Sequence, residues 1–346
     1  MVTASAPDVI ATTQSPGTDS TSPQALVTLS IVTWNSAECI EACLRSVLNQ
    51  SYAQFELWVV DNASADDTCA IVAALAETDN RIRLHQLDQN TGFCGGHNYT
   101  LNRTSTEAVL LVNPDTELAP DYLERALAAL RKEEDLGVVC GLLLQSREDD
   151  ARIDSAGMLA LPDGRFALRL HGVRQSQAGK LTSQYVDGAD GALPLYRRQF
   201  IDDLRVEGEF FDPRFFAHKE DWDIAWRGQL LGWRTLFEPA CRAIHPRQFQ
   251  PDNLRVRLRM SRKVRANAVR NQWIMLIKNT PKTKVWQLLT RALPRQLAIL
   301  GYLLVAERSS LSAVRYVWQH RKAILASRHI IQSRARAAWA PARLAQ

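Results

Sequence analysis

The sequence predicts an α/β protein: a mostly parallel sheet flanked by helices, followed by a basic, mostly helical C-terminal extension. Three observations carry this. Short β-branched and apolar runs alternate with stretches of helical periodicity from Leu26 to Leu144. Three of those runs end at Asn35, Asp61 and Asp115, and parallel sheets collect their ligands at the carboxyl ends of strands. Charge divides sharply: residues 242–346 hold 22 Lys and Arg against only Asp252 and Glu307, while the first 241 residues hold 20 basic and 35 acidic.

The elements follow in order. LVTLSIVTW from Leu26 reads as a buried strand, and Asn35-Ser36 with Glu38 reads as a capping box for a helix facing inward through Ile40, Cys43, Leu44, Val47 and Leu48. FELWVV (55–60) is a strand ending at Asp61. A helix from Thr68 to Glu77, the alternating strand RIRLHQ and the buried strand AVLLV (108–112) come next. Leu123, Ala126, Leu127 and Leu130 mark a helix, and GVVCGLLL a strand. Beyond Arg152, alternating segments flank Pro162-Asp163-Gly164, a hairpin signature. A helix near Arg197–Leu204 precedes the aromatic stretch FFDPRFFAHKEDWDIAWRGQLLGW, whose acidic cluster opens a helix that Gly232 closes. WRTLF and CRAIH lead to His245.

With 346 residues, 46% hydrophobic and 23% charged, the chain has material for one large or two ordinary domains. Wholesale disorder, collagen and small disulfide scaffolds are excluded. We divide it into a leader at 1–25, a main domain at 26–245 and a basic region at 246–346. The leader is rich in Thr, Ser, Ala and Pro and lacks the basic and apolar regions of a signal peptide. The six cysteines show no CxxC, and all but Cys94 sit in apolar, periodic surroundings expected to bury them as thiols. The apolar run between Arg295 and Glu307 is expected to be too short to cross a bilayer, which needs about 20 residues.

Four segments have the residue types for chemistry. Asp61 in VVDNAS can accept hydrogen bonds from a base or ribose. The glycine-rich segment Asn90–Asn98 reads as a loop allowing close approach to a diphosphate, without the GxGxxG order of a dinucleotide site. Asp115 and Glu117 in NPDTE are hard oxygen ligands suited to Mg2+ or Mn2+, or equally an Asx turn. In His218-Lys-Glu-Asp-Trp-Asp223, carboxylates wrapped by Phe215, Phe216, Trp222 and Trp226 have the setting of a general base. His245, before a proline, joins a site only by folding back toward Asp115.

SIVTWN, VVDNAS, NTGFCGGHN, LLVNPD, GADGALPLYRR, FFAHKEDWDIAWR and a late IHP occur in this order. Together they resemble the family 2 inverting glycosyltransferases, in particular the bacterial rhamnosyltransferases and galactofuranosyltransferases of cell-surface polysaccharide synthesis. The resemblance implies a GT-A fold, a nucleoside-diphosphate-sugar donor and a divalent metal, Mg2+ or Mn2+. It implies that Thr33, Asn35 and Asp61 line the base and ribose pocket and that a Gly95-Gly96 turn and Asn98 approach the donor. Asn113-Pro-Asp115 stands where the family has Asp-x-Asp, leaving Asp115 as the carboxylate ligand, with His245 completing the metal site. Glu220-Asp221 matches the ED pair, with Asp221 in the base position. Gly188, Ala189 and Trp222 fall on the acceptor side, where Asp190 departs from the family's apolar residue.

The reading is a metal-dependent inverting transferase moving rhamnose from dTDP-rhamnose onto a lipid-linked or polysaccharide acceptor. The basic tail, with Trp273, Trp286 and Trp318, is expected to hold it to the anionic inner face of the plasma membrane. The rivals are UDP-galactofuranose or another UDP-hexose as donor, and an inactive membrane-bound scaffold. A nucleic-acid partner is not expected, since a lipid-linked acceptor accounts for the same basic charge.

Overall fold

The computed structural model describes residues 26–247, 262–305 and 307–336. The leader expected at 1–25 and the basic residues Arg255, Arg257 and Arg259 lie outside the described residues. β1 (Val27–Thr33) is buried along nearly its whole length, which suits its run of β-branched residues. It pairs in parallel with β2 (Phe55–Asp61) on one side and β4 (Ala108–Val112) on the other, and β3 (Ile82–Gln86) pairs in parallel with β2. The register sets Thr33 opposite Asp61, so both polar residues emerge at one edge.

The other half is mixed. β6 (Leu136–Leu144) runs parallel to β12 (Arg234–Ile244), but β11 (Leu195–Arg197) lies antiparallel between β4 and β6. β5 (Glu117–Leu118) and β10 (Gln184–Val186) also pair antiparallel with β12, and β7 (Ile153–Ser155) with β6. The sequence pattern does not announce β10 or β11, because three residues are too few to establish a period. WRTLF and CRAIH are one strand, broken in register between Phe237 and Arg242 where Pro239 supplies no N–H. The expected hairpin forms from β8 (Met158–Ala160) and β9 (Phe166–Leu168).

Helices α1 (Ile40–Leu48), α2 (Thr68–Ala76), α4 (Tyr122–Leu130) and α5 (Arg198–Leu204) lie where periodicity places them. The capping box at Asn35 does not form. α1 starts five residues later without a side-chain cap, and the Asn35 side chain instead accepts from Ala65 N at 2.8 Å. The glycine-rich segment is helix α3 (Gly92–Leu101) rather than a loop. Glycine is a poor helix former, yet a Cβ on Gly96 would lie 2.6 Å from Val32, so its absence lets α3 settle onto β1. Cys94 is fully buried on α3, against expectation, while Cys39 and Cys69 are only half-buried; all six thiols are free.

α7 (Arg262–Asn279), α8 (Val285–Val305), α9 (Ser312–Gln319) and α10 (Arg321–Arg334) make up the described helices of the basic region. Ile274, Met275, Ile324 and Ile331 pack in the same apolar core as Phe210, Phe215 and Trp226. A buried ionic network joins the layers: Lys278 Nζ lies 2.8 Å from Asp212 and 2.9 Å from Asp223, which also takes Arg227 Nε at 2.9 Å. The apolar run expected to be too short to cross a bilayer is the C-terminal part of the longer helix α8. Lys282–Val305 is, by length and composition alone, long and apolar enough. Leu288, Ala292 and Leu303 turn inward, while Trp286, Leu289, Leu293, Leu297 and Leu304 leave a stripe exposed.

Candidate active site

Asp61, at the end of β2 and almost fully buried, accepts from Thr33 Oγ1 at 2.8 Å, Ser64 N at 2.8 Å and Ser64 Oγ at 2.5 Å. Asn35 stands exposed in the left-handed region (φ 52°), its backbone N–H donating to Ser64 Oγ at 2.8 Å. Two strand ends are thereby stitched into one rim, and the next residue after Thr33, Trp34, is 58% exposed. Asn62 extends the rim to α3: Thr91 N donates to its Oδ1 at 3.0 Å, and its Nδ2 donates to Gly92 O at 3.1 Å.

The roles implied for α3 shift. Gly95 and Gly96 form no turn; they are helix interior. Asn98 is buried and its amide is committed to the Phe211 backbone, donating to Phe211 O at 2.7 Å and accepting from Phe211 N at 3.0 Å. It ties α3 to the segment before α6 (Glu220–Leu230) rather than presenting itself to a ligand.

At the end of β4, Asn113 N donates to Ala192 O at 2.9 Å, and Asp115 follows. His245, just past β12, folds back as the site requires. Its Nε2 lies 3.4 Å from Asp115 Oδ1, and the Asn113 amide is 3.5 Å from the same nitrogen. Its Nδ1 lies 2.7 Å from Asp154 Oδ2 on β7. Burial alone would lower the imidazole pKa, but the bonds to Asp115 and Asp154 prevail and raise it to about 9. Glu117 does not join this site; it pairs with Arg147.

Asp154 and Arg247 are functional candidates that sequence reasoning missed. Arg247 Nε donates to Asp154 Oδ1 at 2.6 Å, and its guanidinium lies 3.6 Å from Asp190. Asp154 sits in a short strand among other polar residues (Asp149, Asp150, Arg152 and Ser155), so no local signal set it apart. Arg247, two residues past His245 in IHPR, was legible as a neighbour of that motif.

Asp115 and His245 fit a hard divalent cation. Their 3.4 Å separation is close to the roughly 3 Å between adjacent ligands of an octahedral ion. Asp154 on Nδ1 is the outer partner that a ligating histidine ordinarily has. No cluster of three or more acidic, His or Cys ligands occurs among the described residues. Two protein ligands plus diphosphate oxygens are a common set for such ions. Cation binding at Nε2 would displace the proton shared there.

Glu220 and Asp221 open α6. Burial, then the charge of Asp190, raises the Asp221 pKa to about 6, with Arg247 and backbone N–H groups opposing. Glu220 is raised further, by burial and then by Asp221, and its Oε2 has no hydrogen-bond partner among the described residues. Gly191 faces both, a Cβ there lying 3.8 Å from Glu220 Oε1 and 3.9 Å from Asp221 Cβ. Asp223, in contrast, is held ionised by Arg227 and Lys278 against its burial, and is structural. Of the residues expected on the acceptor side, Gly188 abuts Ala225 of α6, Ala189 is buried, and half-buried Trp222 packs near Phe166 and beneath Lys219.

The model of the family described as Glycosyl transferase family 2 matches residues 28–205. The chain belongs to this family. It is 29% identical to the protein EpsH of Bacillus subtilis over 200 residues, 56% of this chain and 55% of that one. It is 22% identical to the poly-beta-1,6-N-acetyl-D-glucosamine synthase of Staphylococcus aureus over 213 residues, 62% of this chain and 48% of that synthase. The chain thus spans about half the length of these curated relatives. The structure of GalNAc-T7 with UDP, GalNAc and Mn2+ superposes with a TM-score of 0.56 at 12% identity, over 74% of this chain and 48% of that one. The fold is GT-A-like, a central sheet flanked by helices.

Proposed function

We propose that this transferase moves a sugar from a nucleoside-diphosphate donor onto a lipid-linked or polysaccharide acceptor, with inversion and with a divalent metal. The observation that carries the reading is the return of His245 to within 3.4 Å of Asp115, which unites two motifs 130 residues apart beside the Thr33–Asp61 rim. The names of the relatives support cell-surface polysaccharide as the setting. dTDP-rhamnose is the donor that the resemblance to bacterial rhamnosyltransferases implies. A UDP-sugar, such as UDP-galactofuranose, is the second reading, favoured by the UDP in the GalNAc-T7 structure.

In this reading Thr33, Asn35 and Asp61 hold the base and ribose, and Asn113 lies against the donor. Asp115 and His245 would hold the metal, which when bound offsets negative charge on the departing diphosphate. Asp221 takes the acceptor hydroxyl proton as the new C–O bond forms and the bond to the diphosphate breaks on the opposite face. A carboxylate with a pKa near 6 is ionised at neutral pH yet more basic than an ordinary aspartate. Protonated Glu220 beside it keeps the pair from holding two charges. Gly188, Ala189 and Trp222 border the acceptor. The exposed apolar stripe of α8, with Arg291 and Lys282 exposed on the same segment, supports peripheral attachment to the inner face of the membrane.

The test is a panel of sugar nucleotides offered to the full chain with and without Mn2+, scored for binding and for donor hydrolysis. One donor turned over only with metal is expected. Binding of nucleoside diphosphates with no donor consumed would favour the inactive scaffold.

A further inference from the structure

We infer that Asn271, on α7 and outside the family-matched residues, is a positioning residue for the Glu220–Asp221 pair; this rests on the reading of Asp221 as the base. Three of the four residues just before Glu220 have left-handed backbone without being glycine: Phe216 (φ 62°), His218 (74°) and Lys219 (69°). Ordinary residues adopt that region only when their surroundings impose it.

Asn271 supplies much of that imposition. Its side chain is fully buried, and Nδ2 lies 3.0 Å from Phe215 O, 3.0 Å from Ala217 O and 2.8 Å from His218 O, its two N–H groups shared among the three carbonyls. Its Oδ1 accepts from Arg270 Nε at 3.1 Å, which fixes the amide with its donor end toward the three carbonyls. α3 holds the same segment from the opposite side, Cys94 N donating to Phe216 O at 3.1 Å. A Cβ on Gly92 would lie 2.4 Å from that carbonyl, so the glycine is what lets the two backbones meet. Beyond the pair, Asn279 Nδ2 donates to Asp223 Oδ1 at 2.8 Å and Lys278 reaches Asp223 Oδ2. α7 therefore grips the chain on both sides of Glu220 and Asp221. A general base must lie within about 3 Å of the proton it takes, and an ångström of misplacement can cost about 10²-fold in rate.

The test uses the full chain and four variants. Asn271→Asp is isosteric but turns oxygens on the three carbonyls; Asn271→Ser keeps one donor. Ser327→Ala removes a hydrogen bond to Arg214 in the same helical layer and serves as a stability control. Asp221→Asn tests the base itself. Readouts are kcat and KM with the donor selected by the panel, UDP and dTDP affinity by calorimetry, and hydrogen exchange across residues 215–221. We expect Asn271→Asp to lower kcat by about 10–100-fold, with KM and nucleotide affinity within about twofold and exchange accelerated in that segment. Asn271→Ser should lose less, and it carries the test if Asn271→Asp does not fold. The inference is overturned if kcat stays within twofold of wild type in the folded variant, or if Ser327→Ala loses as much at an equal drop in Tm. If Asp221→Asn itself transfers normally, the base assignment fails and takes this inference with it. Collapse in Asp221→Asn beside normal Asn271 variants overturns the positioning role alone.

Discussion

Asp154 holds His245 by its Nδ1, Oδ2 to Nδ1 at 2.7 Å, and thereby aims Nε2 at Asp115. No periodicity or motif connects these two residues, which lie on β7 and just past β12. Removing the outer carboxylate of such a pair typically weakens metal affinity by about 10–100-fold. Asp154→Asn should therefore weaken Mn2+ binding by that factor, read by titrating Mn2+ against the UDP-bound protein. An unchanged titration would place the metal elsewhere.

Asp221 is raised to about 6 by burial and by Asp190. Because the base works ionised, transfer should fall as pH drops through about 6 and level off above it. Asp221→Asn should lower kcat by about 10²–10⁴-fold and leave nucleotide affinity intact. Transfer within a few-fold of wild type would make Asp221 a residue of the helix start only.

Glu220 gives a stability prediction of opposite sign to the usual carboxylate. Its folded pKa lies above the unfolded value of 4.5, so the folded state binds more protons and loses stability as pH rises between the two. Glu220→Gln carries no titrating proton. Its Tm relative to wild type should therefore be higher at pH 8 than at pH 4.5. Parallel Tm curves across that range would show that the side chain is not buried as an acid.

Lys278 is 1% exposed and serves two buried aspartates, Asp212 and Asp223. Lys278→Met leaves both short of a partner, which typically costs about 3–5 kcal/mol. Urea unfolding should show that loss; a change under about 1 kcal/mol would mean that Arg214 and Arg227 suffice.

Membrane attachment is best tested on the surface of α8. Removing residues 250–346 would strip Ile274, Met275 and Lys278 from the core and confound binding with unfolding. Leu293→Gln with Leu297→Gln should reduce co-sedimentation with phosphatidylglycerol vesicles severalfold at unchanged Tm. Equal co-sedimentation by variant and wild type would assign the stripe another partner.

Local pattern was enough for the parallel half of the sheet and for most helices, since β1, β2 and β4 are mostly apolar runs buried on both faces and α4 buries a face whose period is written in consecutive residues. It was enough also for the order of the motifs and for Asp61, Asp115, Asp221 and His245 as residues of interest. It failed where tertiary contact overrode local preference. Glycine-rich α3 is a helix because Gly96 fits against Val32, and Asn35 forgoes its cap to bind Ala65.

What the sequence determined by itself is therefore the class of fold and the kinds of side chain at the strand ends, because burial period and strand termination are properties of neighbouring residues. Only the tertiary structure decided which of those side chains meet. Asp154 reaches His245 across 91 positions, and Asn271 reaches His218 across 53, through packing of separate elements. Hydrogen bonds of that range depend on where whole strands and helices settle, which no local stretch of chain encodes.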